Sequence, residues 1–224
     1  MMDWSPVFIS MKTASLSIFI TFFVGLIVAW GLIKIKNDSI KIVLDGIFTL
    51  PIVLPPTVVG FFLLYIFGVR GPIGRFFIDF FSTKIAFSWS ATVIAAVVMS
   101  FPLMYRSARG AFEQVDSNLL DAGRTLGMSE WKIFWKILFA NALPGIISGG
   151  ILAFARGLGE FGATAMLAGN IAGQTRTLPM AVYSEVAAGN MGSAFDYVIV
   201  IVVISFIAIF IMDFVTIRKE RQWR

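Results

Sequence analysis

TASLSIFITFFVGLIVAWGLI, running from Thr13 to Ile33, contains no Asp, Glu, Lys or Arg. A helix needs about 20 apolar residues to cross the hydrocarbon core of a bilayer, and a charge held at its centre costs several kcal/mol. The run is therefore read as a membrane span. Three more runs of the same kind follow it, from Gly46 to Val69, from Ile85 to Tyr105 and from Ile137 to Ala155. A fifth, Tyr197 to Met212, is bracketed by Asp196 and Asp213 and reaches Ile217 if the helix tilts.

Composition supports the same solvent. Of the 224 residues, 58% are hydrophobic and only 14% charged, against about a quarter charged in a soluble domain, and the mean hydropathy is +0.87. The sequence contains neither His nor Cys, which excludes imidazole bases, thiol nucleophiles, disulfide frameworks and the usual zinc and haem ligands. No catalytic or metal-binding residue is assigned, and no cofactor is expected on this chain. The net charge of +5 does not point to nucleic acid, because the basic residues flank apolar runs instead of lining one polar face. The chain opens with Met1, Met2 and Asp3 and has no basic residue before Lys12, so no cleavable signal peptide is expected.

The reading is an all-α, polytopic membrane protein forming a single transmembrane domain over residues 1–224. Its expected spans are about 11–34, 46–69, 85–106, 137–167 and 197–217. An odd number of spans puts the two ends on opposite faces, and the basic residues say which face is which. With the N-terminus outside and the C-terminus cytoplasmic, the inner segments hold Lys34, Lys36, Lys41, Arg106, Arg109, Arg124, Lys132, Lys136, Arg218, Lys219, Arg221 and Arg224. The outer segments hold only Lys12, Arg70, Arg75, Lys84 and Arg176, and Arg156 lies within a span. That distribution predicts a multi-pass protein of a prokaryotic cytoplasmic membrane.

Three local features add detail. Pro51, Pro55 and Pro56 predict a kink or break in the inner half of the second span. Leu178 to Ala188 reads as a short helix at the outer membrane edge. The inner stretch 107–136 carries charges of both signs and turns helical from Asn118, with Gly127 separating two short pieces.

Within that stretch, LDAGRTLGMSEWKIFWKILFANALPGI (Leu120 to Ile146) has a telling spacing: Asp121-Ala122-Gly123, three residues, Gly127, nine residues, Ile137. It resembles the cytoplasmic signature of ABC-importer permeases, written EAA, three residues, G, nine residues, I, one residue, LP. Asp121 stands where the family has Glu, Gly123 where it has Ala, and Phe139-Ala140 where it has Leu-Pro; a Leu143-Pro144 pair follows, which suggests a later start to the fourth span. The resemblance implies a type I ABC importer permease fold with a cytoplasmic coupling helix, and an ATPase-coupling role for Asp121, Ala122, Gly123 and Gly127. A plain solvated amphipathic loop is the competing reading of these residues.

Further on, FARGLGEFGATAMLAGNIAGQTRTLP (Phe154 to Pro179) carries Arg156 and Glu160 one helical turn apart inside an apolar span, amid Gly157, Gly159 and Gly162. Two readings stand side by side: an ion pair that neutralises itself and fixes packing, or Arg156 offering positive potential to an anion on a translocation pathway. This stretch, the preceding LPGIISGGILA and the earlier PIVLPPTVVGFFLL resemble the molybdate permease branch of the same superfamily. The branch implies a homodimer in membrane lipid, two ATP-binding cassette subunits on the cytoplasmic side that bind ATP and magnesium, and a periplasmic or lipid-anchored protein that delivers the oxyanion molybdate or tungstate. Asn170, Gln174, Thr175 and Arg176 are candidates for contact with that binding protein, although any polar loop would look alike. Sulfate or another oxyanion is the neighbouring alternative. An ATP-independent secondary transporter is the rival from another class, and ATP hydrolysis by this chain is excluded because GVRGPIGR (Gly68 to Arg75) lacks both the spacing and the lysine of a phosphate-binding loop.

Overall fold

Small residues decide how the helices meet. The computed structural model describes residues 2–222; Met1, Trp223, Arg224 and the side chains of 212, 213 and 215–222 lie outside the described residues. The C-terminal basic side chains Arg218, Lys219, Arg221 and Arg224 used for orientation fall among these. Helix α1 (Ser5–Ile33) buries Ser10, Thr13, Ser17, Thr21, Gly25 and Ala29, a stripe repeating every three or four residues. Lipid tails are as apolar as leucine, so helices in a bilayer associate through close packing and interhelical hydrogen bonds, which such a stripe permits. It lies on α5 (Trp89–Glu113). Thr13 Oγ1 is 2.9 Å from Thr92 Oγ1, Thr21 Oγ1 is 3.2 Å from Ser100 Oγ, and a Cβ on Gly25 would come within 2.8 Å of Met104 Cγ. The partners advance together along both chains, so α1 and α5 run parallel.

The remaining order is α2 (Asp38–Val53), α3 (Pro56–Phe67), α4 (Pro72–Phe81), then after α5 the short α6 (Ser117–Thr125) and α7 (Glu130–Ile133), a π turn over Phe134–Leu138, α8 (Phe139–Leu158), α9 (Gly162–Leu167), α10 (Leu178–Ala187) and α11 (Met191–Gln222). α8 runs antiparallel to α5: Gly145 faces Ala111 and Gly149 faces Ser107, and any side chain at either glycine would collide with its neighbour. The Tyr197 hydroxyl of α11 donates to the Asp3 carbonyl at 2.9 Å, which sets the start of α11 beside the start of α1. A core of Leu26, Met104, Tyr105, Phe112, Phe134 and Ile146 joins α1, α5, the π turn and α8. Outward, Phe19, Ile27, Val202 and Phe206 are exposed, as befits a lipid-facing belt.

Among the described residues, four helices are long and apolar enough to cross a bilayer: Ser5–Ile33, Trp89–Glu113, the continuous Glu130–Leu158 and Met191–Ile211. The pair α2 and α3, bent by 112°, is together long and apolar enough for a fifth, broken crossing. The break falls at Leu54–Pro55, both extended in ψ, since a residue before proline is pushed out of the α region and Pro55 is followed at once by Pro56. Pro51, by contrast, sits inside α2 without ending it.

Several boundaries differ from the sequence reading. The second span is two helices, starting at Asp38 under an Asn37 cap. The third starts at Trp89, because Phe87 takes φ +60° and spends its N–H on the Leu167 carbonyl, and it continues to Glu113 because its late charges find partners. The fourth starts earlier than expected, at Glu130, where Ser129 caps it, and absorbs Pro144 in its interior. It also stops earlier, at Leu158, so 137–167 is not one helix. Residues 107–113 and 130–136 thus belong to long helices, and the connection between them is the stretch 114–129. The last helix begins at Met191, not 197.

Candidate functional site

The connection between α5 and the Glu130–Leu158 helix folds into a rigid foot. Asp116 caps α6 by accepting the Asn118 N–H at 2.9 Å. At the other end Gly127 takes φ +72°, its N–H donates to the Arg124 carbonyl at 2.9 Å, and the Met128 N–H reaches back to the Gly123 carbonyl at 3.1 Å. This is the Schellman termination, and glycine is needed for its left-handed backbone, since the space around it is open. Gly123 has the opposite reason. It is buried, and a Cβ there would approach Ile137 Cδ1 to 2.8 Å and Ile133 Cγ1 to 3.2 Å. The foot is thus packed directly on the start of the Glu130–Leu158 helix. Arg124 locks it, donating to Asp121 at 2.6 Å and to Glu130 at 2.8 Å. Its hydrogen bonds to these two carboxylates, Glu130 first, hold the guanidinium still more firmly protonated than usual.

Of the four coupling candidates, Asp121, Ala122 and Gly127 are exposed on the foot, whereas Gly123 faces inward and positions it. Leu126, not singled out in the sequence, is 80% exposed at the tip, and Leu119 is exposed on the same short helix. Two leucines displayed on a capped helix are what a groove on another protein would receive. Their signal was available: α6 is amphipathic, yet it has too little protein around it to cover both sides.

The second candidate region is where α8 breaks. Glu160 is only 2% exposed. One carboxylate oxygen accepts from Arg156 Nη1 at 2.6 Å and the other from the Ala163 N–H at 2.8 Å. It therefore neutralises a cation and also satisfies a free donor at the start of α9. Gly162 lies against Pro56, where a Cβ would meet Pro56 Cβ at 2.8 Å, and Gly60 of α3 lies against Ala163 and Met166. Gly157 packs near Ser17 Oγ of α1. Gly159 closes α8. The cluster of glycines thus brings α1, α3, α8 and α9 together around one ion pair. Arg156 remains half-buried on α8, with 30% of its side chain accessible.

At the opposite end from the foot, the outer-loop candidates divide. Thr175 is fully buried; its hydroxyl accepts the Ile171 N–H at 3.0 Å, which closes the loop and leaves no surface for a partner. Asn170 and Gln174 are exposed, and Arg176 donates to Asn170 at 2.8 Å while Asn170 donates to Ser184 at 2.7 Å. The arrangement staples the loop to α10. A further cluster, missed from sequence, lies near the inner end of α5: Asp45 of α2 accepts from the Tyr105 hydroxyl at 2.8 Å and Arg109 at 2.6 Å, Arg109 also pairs with Glu113 at 2.9 Å, and Lys41 with Glu113 at 3.3 Å. It ties the half-broken second crossing to α5, and separations of some sixty residues in sequence hid it.

Comparison with known proteins agrees with this architecture. The family model described as binding-protein-dependent transport system inner membrane component matches residues 13–221. The chain is 43% identical to the molybdenum transport system permease protein ModB of Escherichia coli (strain K12), over 99% of this chain and 97% of that one. It is 42% identical to the putative molybdenum transport system permease protein YvgM of Bacillus subtilis (strain 168), over 94% and 92%. Among solved structures it is similar to the MetNI methionine ABC transporter in an inward-facing conformation, with a TM-score of 0.73 at 19% identity over 94% of this chain and 93% of that one. That likeness gives the type I ABC importer permease fold. With the model match spanning nearly the whole chain, this protein belongs to the family of binding-protein-dependent transport system inner membrane components.

Proposed function

We propose that the chain is the pore subunit of an ATP-driven importer for molybdate, or tungstate of nearly equal size and charge, delivered by an external binding protein. Two copies form the pore, and two ATP-binding cassette subunits, which bind ATP and magnesium, seat on the two α6 feet at the cytoplasmic face. The observation that carries the reading is the foot itself. It is capped at both ends, packed on a spanning helix through Gly123, and presents Asp121, Ala122 and Leu126 outward. The names of the similar proteins support the choice of cargo.

The orientation with the N-terminus outside is supported by the packing. Because α1 and α5 run parallel, Lys34, Arg106 and Arg109 gather at the pole that also carries the foot, while Lys12 and Arg176 mark the other. Selection among oxyanions is assigned mainly to the binding protein, which closes around the anion with fixed donors.

The test is co-purification and uptake in proteoliposomes with the partner ATPase and binding protein. The complex is expected to take up molybdate only with ATP, and Gly127→Trp is expected to abolish uptake while the chain still inserts. Full transport by this chain without any ATPase partner would overturn the proposal in favour of secondary transport.

A further inference from the structure

Between the inner halves of α5 and α8 lies an open cavity of about 660 Å³. On the α8 side it is lined by Asn141, Ser148 and Leu152, on the α5 side by Arg106, Ser107 and Gln114, with Asp116 at the rim beside the foot. Gly110, with open space where a Cβ would stand, adds no side chain to its wall. The α8 lining falls on one helical face, and continuing that face one turn past Leu152 leads to Arg156. Arg156 and the cavity are therefore stations on one lane. By helical rise, Ser148 lies about 12 Å from Arg156 along it. Leu152, 45% exposed, interrupts the lane with an apolar side chain.

Arg106 differs from its neighbours in having no carboxylate within 4 Å among the described residues. Arg109 is engaged by Asp45 and Glu113, and Lys41 by Glu113. Asp45 senses Arg106 through space but already takes the Tyr105 hydroxyl and Arg109. Ser107 and Ser148, each partly buried on the cavity wall, add hydroxyl donors. A weakly hydrated guanidinium with hydroxyls beside it, in a space far larger than one small oxyanion, suits transient holding of a hydrated dianion. Asp116 at the rim opposes retention.

We propose that this cavity is the inner release station of the transport path, where the departing oxyanion is held by Arg106 with Ser107 and Ser148 before it reaches the cytoplasm. The assignment rests on the importer reading above. It places one cation on each side of the Leu152 barrier, with Arg156 on the outer side.

The absence of native cysteine makes a direct test possible. Ser148→Cys is introduced in the assembled complex with its ATPase, and modification from the cytoplasmic side is timed with methanethiosulfonate reagents carrying either a sulfonate or a trimethylammonium group. After normalising to a free small thiol, the sulfonate reagent is expected to react faster. Adding Arg106→Gln is expected to lower that preference about fivefold, the effect of one nearby unit charge in a water-like dielectric, and Arg106→Lys to retain it. Millimolar molybdate is expected to slow modification with Arg106 present and not in the Arg106→Gln variant. No reaction with either reagent, a preference unmoved by Arg106→Gln, or no protection by molybdate would each overturn the station. None of these readouts needs transport. A complex showing the charge preference and the protection, yet accumulating no molybdate with ATP, would leave the station standing and overturn the importer reading instead.

Discussion

Replacing Glu160 separates the two readings of the intramembrane ion pair. In Glu160→Gln the acceptor for the Ala163 N–H survives, but the charge opposite Arg156 is lost and an amide N–H₂ is turned towards the guanidinium. Hydrogen bonds to charged groups contribute about 1.5–3 kcal/mol, and removing one partner of a buried pair costs about 3–5 kcal/mol. Glu160 is 1% accessible but Arg156 is 30% accessible, so water relieves part of the loss, and about 2–3 kcal/mol is the reasoned cost. Glu160→Ala also removes the cap on α9 and should cost about 1 kcal/mol more. For a chain of 224 residues the soluble-protein scale of about 2–4 °C per kcal/mol gives a fall in Tm of about 4–12 °C. The assay is thermal unfolding of the nanodisc-reconstituted complex, run as a double-mutant cycle with Arg156→Met. If the pair fixes the fold, Arg156→Met combined with Glu160→Gln should recover about 2 kcal/mol relative to the sum of the single changes. Additive losses, or a Tm for Glu160→Gln within 1 °C of the parent, would refute the reasoning. Uptake by the doubly changed complex then reports on Arg156 alone: assembly regained without transport assigns it to the pathway.

The other expectations rest on equally local geometry. Gly127→Ala forces a side chain into a left-handed backbone but meets no neighbour, so it should cost about 1–2 kcal/mol, reduce ATP-coupled uptake severalfold and leave assembly intact, with Gly127→Asn closer to the parent. Gly123→Val strikes Ile133 and Ile137 and should detach the foot, seen as loss of ATPase co-purification while the permease still inserts. Asp45→Asn removes the anion that holds Arg109 and Tyr105 to α2, and faster amide exchange confined to 38–53 is the expected readout; unchanged exchange there would mean the tether is idle. Gly60→Leu would drive into Ala163 and Met166 and should lower the yield of folded complex by overpacking.

Sequence reading found the solvent, the apolar segments and the foot, because each rests on a short-range rule: charge-free length, helical periodicity, glycine at fixed spacing. It placed the ion pair from i,i+4 spacing alone. It missed the second duty of Glu160 as the cap of α9: the glycines of GLGEFGA mark a possible bend but not that α8 ends at Leu158, where Gly162 fits against Pro56, about a hundred positions earlier. Thr175 looked like a surface residue because its neighbours are polar, but its hydroxyl is consumed inside the loop. Likewise Asp45 read as an ordinary flanking charge until α2 folded against α5.

These long-range contacts also determine what a displacement of the foot can reach. α6 is packed on Ile133 and Ile137, and from Glu130 to Leu158 the helix has no break, its π turn included. At about 1.5 Å per residue that is a lever of roughly 40 Å. Its far end carries Arg156, whose partner Glu160 caps the next helix, and α9 is in turn seated on α3 through Gly60 and Gly162. Along this route the bends fall at Gly159–Phe161 and at Leu54–Pro55, where the backbone hydrogen-bond ladder is interrupted. A push on the foot is therefore delivered to the ion pair and, through α9, to the half of the broken crossing beyond Pro55, while α2 stays tied to α5 by Asp45. Rigid elements joined at two glycine- and proline-marked hinges would convert a push at one membrane face into a rearrangement about Arg156, where the proposed lane to the α5–α8 cavity begins.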